Sequence, residues 1–184
     1  MTGSRIRGAL CAGAIALAGT ATATGAWAQS ANESTNRIAV KSDWSVFAEN
    51  NPKECWGVSS PKSSLNTKGG RKVNVNRGDI LLFVTFRPNG SADGEISFTG
   101  GYPFDSKAGG TMSVDGHTYN LFTEGQWAWP KTPADASGLM AALKKGSEAK
   151  ITAHSTRGTQ TVDTFSLMGF TAAMDAAKAR CNGK

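Results

Sequence analysis

The sequence predicts a mainly β domain: antiparallel sheets in a sandwich or barrel-like arrangement, with two short accessory helices, the second C-terminal. Short runs rich in Val, Ile, Thr, Phe and Trp recur along the chain, punctuated by Gly, Asn, Asp and Pro clusters. An Asp115-Gly116 pair sits between two such runs, the strongest local signal for a two-residue hairpin. Helical periodicity appears in two segments, and there is no internal repeat.

Taken in order, residues 29–38 are polar and aperiodic, so a flexible segment is expected ahead of a single domain over 39–184. Trp44-Ser45-Val46-Phe47 and Cys55-Trp56-Gly57-Val58 read as the first strands, split by the turn-forming Asn50-Asn51-Pro52. Ile80 to Phe86 is the most apolar run. It lacks alternation, which suits a central strand buried on both faces. Asn89-Gly90 and Asp93-Gly94 mark a sharp connection after it. Met112 to Leu121 should fold as a type I′ hairpin, because Asp-Gly accepts positive φ at both central positions. Lys150 to His154 and Thr161 to Leu167 form a second hairpin around Arg157-Gly158.

The first helix is announced by Thr132 as N-cap, Pro133 at its first position and Asp135 near its positive end. Leu139, Met140 and Leu143 line one face, and Gly146 ends it after Lys144 and Lys145. In the second, Phe170, Ala173, Met174, Ala177 and Cys181 fall on one apolar stripe.

Ahead of the domain, Arg5 and Arg7 precede an apolar Ala- and Leu-rich run and a small-residue stretch ending in Ala26-Trp27-Ala28. That order is a secretory signal over residues 1–28, with cleavage expected after Ala28. The run is shorter than the roughly 20 apolar residues a membrane-spanning helix needs, so no transmembrane anchor is expected after cleavage. A lipoprotein signal around Cys11 fits less well. Gly8 stands where a large aliphatic residue is wanted, Leu10 where a small one is, and Cys11 comes too early. The mature protein is then periplasmic, secreted or displayed at the cell surface.

Removal of 1–28 leaves Cys55 and Cys181 from three cysteines. An even pair in an oxidising compartment predicts a disulfide, the alternative being two buried thiols. The formal charge of +6 includes Arg5 and Arg7. The other basic residues are scattered, without the basic, aromatic-interleaved runs of nucleic-acid binders; weak attraction to anionic envelope components or a plain solvated surface remains.

Chemistry-bearing residues are sparse. His117 and His154 sit at no metal-ligand spacing, and no phosphate loop, nucleophile elbow or HExxH occurs. No cofactor is expected. A hydrolytic Ser155–His154–Asp163 site is opposed by geometry, since adjacent strand residues point to opposite faces. Residues 155–164 are the most distinctive polar stretch. Either Arg157 contacts an anionic ligand there, or it pairs with an acid such as Asp163 while threonines bond across strands. Trp44, Trp56, Trp127 and Trp129 suggest carbohydrate stacking, the alternative being core and rim packing; Trp127 and Trp129 alternate onto one strand face, so that pair forms a candidate platform.

The chain also resembles the invasion-associated locus B family of Gram-negative envelope proteins, over about residues 40–181. The resemblance rests on Trp44-Ser45-Val46 followed by Cys55, and on Gly101-Tyr102-Pro103-Phe104. Its most specific part is Ser155-Thr156-Arg157-Gly158-Thr159, then Asp163 to Phe170, an Ala-rich helix and Cys181. Trp56 departs from it, standing where Tyr or a smaller residue is expected. The resemblance implies an exported, non-enzymatic protein that meets an envelope or host-cell component, linked by name to invasion and virulence. It supplies no catalytic residues. The alternatives are a small hydrolase acting on cell wall or glycan, and an accessory factor in envelope assembly.

Overall fold

The computed structural model describes residues 35–88 and 92–183. The signal segment, Cys11, the Ala28 cleavage point and the Asn89-Gly90 turn lie outside the described residues.

The chain runs through β1 (Arg37–Lys41), β2 (Trp44–Asn50), β3 (Lys53–Ser59), β4 (Ser63–Lys68), β5 (Arg71–Lys72) and β6 (Leu81–Arg87). It continues with β7 (Ala92–Thr99), β8 (Gly110–Val114), β9 (His117–Glu124), β10 (Trp127–Pro130) and helix α1 (Pro133–Lys145). Strands β11 (Glu148–His154) and β12 (Gln160–Ser166) and helix α2 (Phe170–Asn182) complete it. All strands join one 12-stranded antiparallel sheet in the order β1-β2-β3-β6-β7-β10-β9-β8-β11-β12-β4-β5. The first strand begins inside the segment 29–38 expected to be flexible, and pairs with β2.

The sheet curls on itself. Phe98 of β7 meets Phe165 of β12 edge to face at 6.1 Å. Trp44 of β2 donates its indole N–H to the Ser166 carbonyl at the end of β12, at 3.1 Å. Strand alternation sends Trp44, Val46, Leu82, Val84, Ile96, Met112 and Ile151 into the space enclosed, all buried.

Both helices pack a buried face against that space. Thr132 caps α1 by accepting from the Asp135 N–H at 3.0 Å, and Leu139 and Leu143 are buried. The predicted stripe of α2 is buried throughout, with Phe170 edge-on to Trp44 at 4.9 Å. Met174 lies against Gly57, where any Cβ would meet its methyl group. Cys181 and Cys55 are bonded, their Cα atoms 5.6 Å apart, so a bridge ties α2 to β3. Among the described residues no helix is long and apolar enough to cross a membrane.

Asp115 and Gly116 take φ of 44° and 90° between β8 and β9, the paired positive values of the predicted turn. Two expectations need correction. Asp93-Gly94 is not a connection but lies inside β7, where the register with β6 shifts and Gly94 adopts φ of 93°; the glycine marks a bulge. And β6 is central but not buried on both faces. Leu82, Val84 and Phe86 point inward, while Phe83 lies on the outer face beneath Trp127. The unbroken apolar run reflects a partly covered outer face, not a second layer.

Candidate functional site

Three segments far apart in sequence meet at the β11–β12 turn. In the turn, the Gly158 N–H bonds the Ser155 carbonyl at 2.9 Å, and the Ser155 hydroxyl accepts from the Thr159 N–H at 3.1 Å. The stretch 100–105 docks against it by an isolated bridge between Phe104 and Ser155, and the Thr156 N–H donates to the Pro103 carbonyl at 3.1 Å. The third segment, 73–80, crosses Gly101, which accepts from the Gly78 N–H at 2.9 Å. A Cβ on Gly101 would lie 2.5 Å from the Gly78 carbonyl oxygen, and its φ is 73°; only glycine suits this crossing.

Between the three segments lies a cavity of about 380 Å³. Arg77, Tyr102, Gln126, Thr161 and Arg157 are among the residues around it. At its base Arg77 makes a two-pronged pair with Asp163, at 2.8 and 2.6 Å. The Arg77 side chain is 5% exposed and Asp163 wholly buried. Such a pair is tolerated in a core only when its remaining donors and acceptors are met. Here they are: Arg77 also donates to the Gly100 carbonyl and the Asn66 side chain, and Ser64 donates to Asp163 at 2.6 Å. The guanidinium lies 5.1 Å from the centre of the Tyr102 ring. Burial pushes the Tyr102 phenol above its ordinary pKa; its oxygen is 2.6 Å from the Thr161 hydroxyl.

This geometry corrects the pairing proposed for Arg157. Asp163 is opposite Ile151 in the β11–β12 ladder and faces the core, away from the turn. Its cation is Arg77, while Arg157 is exposed at the cavity rim with no ion pair among the described residues. Thr161 bonds Tyr102 instead of a threonine across the strands. Arg77 was not singled out in the sequence. An inward Asp between inward Thr161 and Phe165 signals a buried carboxyl that needs a cation or hydrogen-bond donors, but not which residues supply them.

Ser155, His154 and Asp163 are not brought together. Ser155 lines this cavity, His154 lines another on the far side with Lys131 and Thr111, and Asp163 is held by Arg77. His117 is exposed at the start of β9. No three His, Cys, Asp or Glu side chains among the described residues are grouped to hold a metal ion. What the cavity offers is hydrogen bonding and one accessible guanidinium.

Trp127 and Trp129 do share a face, on the outside of the sheet. Their ring centres are 6.4 Å apart and their planes 29° from parallel. Phe122 of β9 stacks on Trp129 at 5.2 Å, and Phe83 lies 5.8 Å from Trp127. Phe83 reaches Trp127 only through the non-local order β6-β7-β10, whereas Phe122 sits opposite Trp129 in the local β9–β10 hairpin, whose signal is the turn at Gly125-Gln126.

A family model described as Invasion associated locus B (IalB) protein matches residues 44–178. No curated protein matches the chain. A solved structure similar to it is the crystal structure of invasion associated protein b from Bartonella henselae, with 16% sequence identity and a TM-score of 0.49 over 77% of this chain and 95% of that one.

Proposed function

The chain belongs to the invasion associated locus B family, and from that premise we propose that it is an exported, non-enzymatic interaction domain of the cell envelope. Its partner is an envelope or host-cell component carrying an anionic group, and the cavity at the β11–β12 turn receives it. One observation carries this reading. Of the two arginines at the cavity, Arg77 is consumed by Asp163, whereas Arg157 stands at the rim with its guanidinium unpaired among the described residues. An accessible guanidinium beside hydroxyl and amide groups is suited to a carboxylate or phosphate.

Export is supported by the basic, apolar and Ala-Trp-Ala order of residues 1–28, and by a bridge of the kind that persists in oxidising compartments. A binding rather than a catalytic role is supported by the separate surroundings of Ser155, His154 and Asp163.

Two measurements test it. Intact mass of the protein from the envelope or medium should lack residues 1–28 and show no alkylatable thiol; a retained N-terminus or two free thiols would overturn export. Capture from envelope or host-surface extract with the oxidised mature domain should retain a partner that Arg157→Ala releases. Equal capture by that variant removes the cavity from the reading. Recovery of a range of unfolded exported proteins would indicate an assembly factor instead.

A further inference from the structure

The outer face of the sheet carries a second, independent surface. Trp56 of β3 and Trp127 and Trp129 of β10 line a shallow trough of about 360 Å³, with Phe83, Thr85 and Ser97 between them. Trp56 is backed by Phe47, stacked on it at 5.7 Å and 8° from parallel. Trp127 is 39% exposed and Phe122 44%.

Three features define what fits. The three indole N–H groups donate to no protein acceptor among the described residues, and the Thr85 and Ser97 hydroxyls are likewise unpaired there. The trough thus offers flat apolar rings and, beside them, solvent-facing polar groups that no protein partner occupies. Secondly, charge lies inside it: Arg87 is held between Glu54 at 2.7 Å and Glu95 at 3.6 Å. Protein–protein interfaces favour Trp, Phe and Arg but deplete Glu at their cores, so it is the two carboxylates inside the trough that count against a protein partner. Thirdly, the outward charges of β3, β6, β7, β9 and β10 are Glu54, Glu95 and Glu124 against Arg87, on a chain of formal charge +6. With Lys131 beside Phe122 at its edge the face is close to balanced, and its one guanidinium is already held by Glu54 and Glu95, so it offers an anion no free cation inside the trough.

We propose that this face binds a neutral glycan chain, its pyranose rings stacked on Trp127, Trp129 and Trp56. A pyranose presents C–H groups on one face, which pack on an indole, and hydroxyls around its edge. Those hydroxyls donate to Glu54 and Glu95 and accept from the indole N–H groups. A neutral chain is preferred over a uronate or sulfated one because the only guanidinium in the trough is already paired.

Titration of the oxidised mature protein with cellohexaose and with the N-acetylglucosamine hexasaccharide tests it, read by calorimetry and by tryptophan fluorescence. At least one should bind saturably. Trp127→Ala and Trp129→Ala should each weaken it about tenfold, the order expected when about 50 Å² of apolar contact with a sugar face is lost, with near-ultraviolet circular dichroism from Trp44 retained. Arg157→Ala should bind as the parent does, which separates this surface from the turn cavity. The proposal fails if neither hexasaccharide binds at millimolar concentration, or if both tryptophan variants bind like the parent. It fails equally if the variants abolish only self-association or capture of a protein.

Discussion

Trp44 and Trp127 stand on the two faces of one sheet and are used in opposite ways. Trp44 is wholly buried, its N–H given to Ser166 and its ring closed by Phe170. Trp127 is 39% exposed, its N–H is unpaired, and its ring neighbours are Phe83 and Trp129. A buried indole finds an acceptor because an unpaired donor in a core is costly. An outer one has no such requirement, so its polar edge stays available. Aromatic content by itself therefore says little; what distinguishes the two faces is whether the polar edge has been satisfied.

The comparison can be broken most sharply from the inside. Arg77→Met should cost about 3–5 kcal/mol by urea unfolding, because it leaves the Asp163 carboxylate buried without its cation. Adding Asp163→Leu should recover much of that loss, as apolar replacement of a whole buried pair often does. A cost below 1 kcal/mol for the single change would mean that water reaches the pair. Next comes the bridge: replacing Cys55 and Cys181 together with Ala should cost about 2–5 kcal/mol.

A pH effect should follow from Tyr102. Its pKa is raised in the folded protein by burial. The unfolded value is about 10, so its contribution is complete below that pH. It is lost as pH rises through the higher folded value. Stability measured across the alkaline range should fall more steeply in the parent than in Tyr102→Phe. The smallest effect belongs to the outer face: Trp127→Ala should cost about 1–2 kcal/mol, since the ring is partly exposed and packs on Phe83 and Trp129. A larger loss would mean that the face supports the fold rather than a ligand.

Much of the architecture was legible because it rests on local chemistry. Asp115-Gly116 specifies its turn through φ, Thr132 and Pro133 specify a helix start, and the Phe170-to-Cys181 stripe specifies a buried face. The tryptophan pair was legible too, since alternation within one strand needs no partner. What was not legible is pairing across distance. Nothing local couples Arg77 to Asp163, 86 residues away. Nothing local places β7 beside β10, which brings Phe83 under Trp127. The misreading of Ile80 to Phe86 has the same origin: whether a run is covered on its second face depends on neighbours that arrive later in the chain.

Helix α2 bears on the order of events in folding. It supplies Phe170 against Trp44, Met174 against Gly57 and Cys181 to Cys55, so strands made early are completed by an element made after every strand. The covalent loop it closes spans 126 positions. A nascent chain emerging in order has no finished interior to lock until that helix follows, and its early strands wait with their apolar faces unsealed.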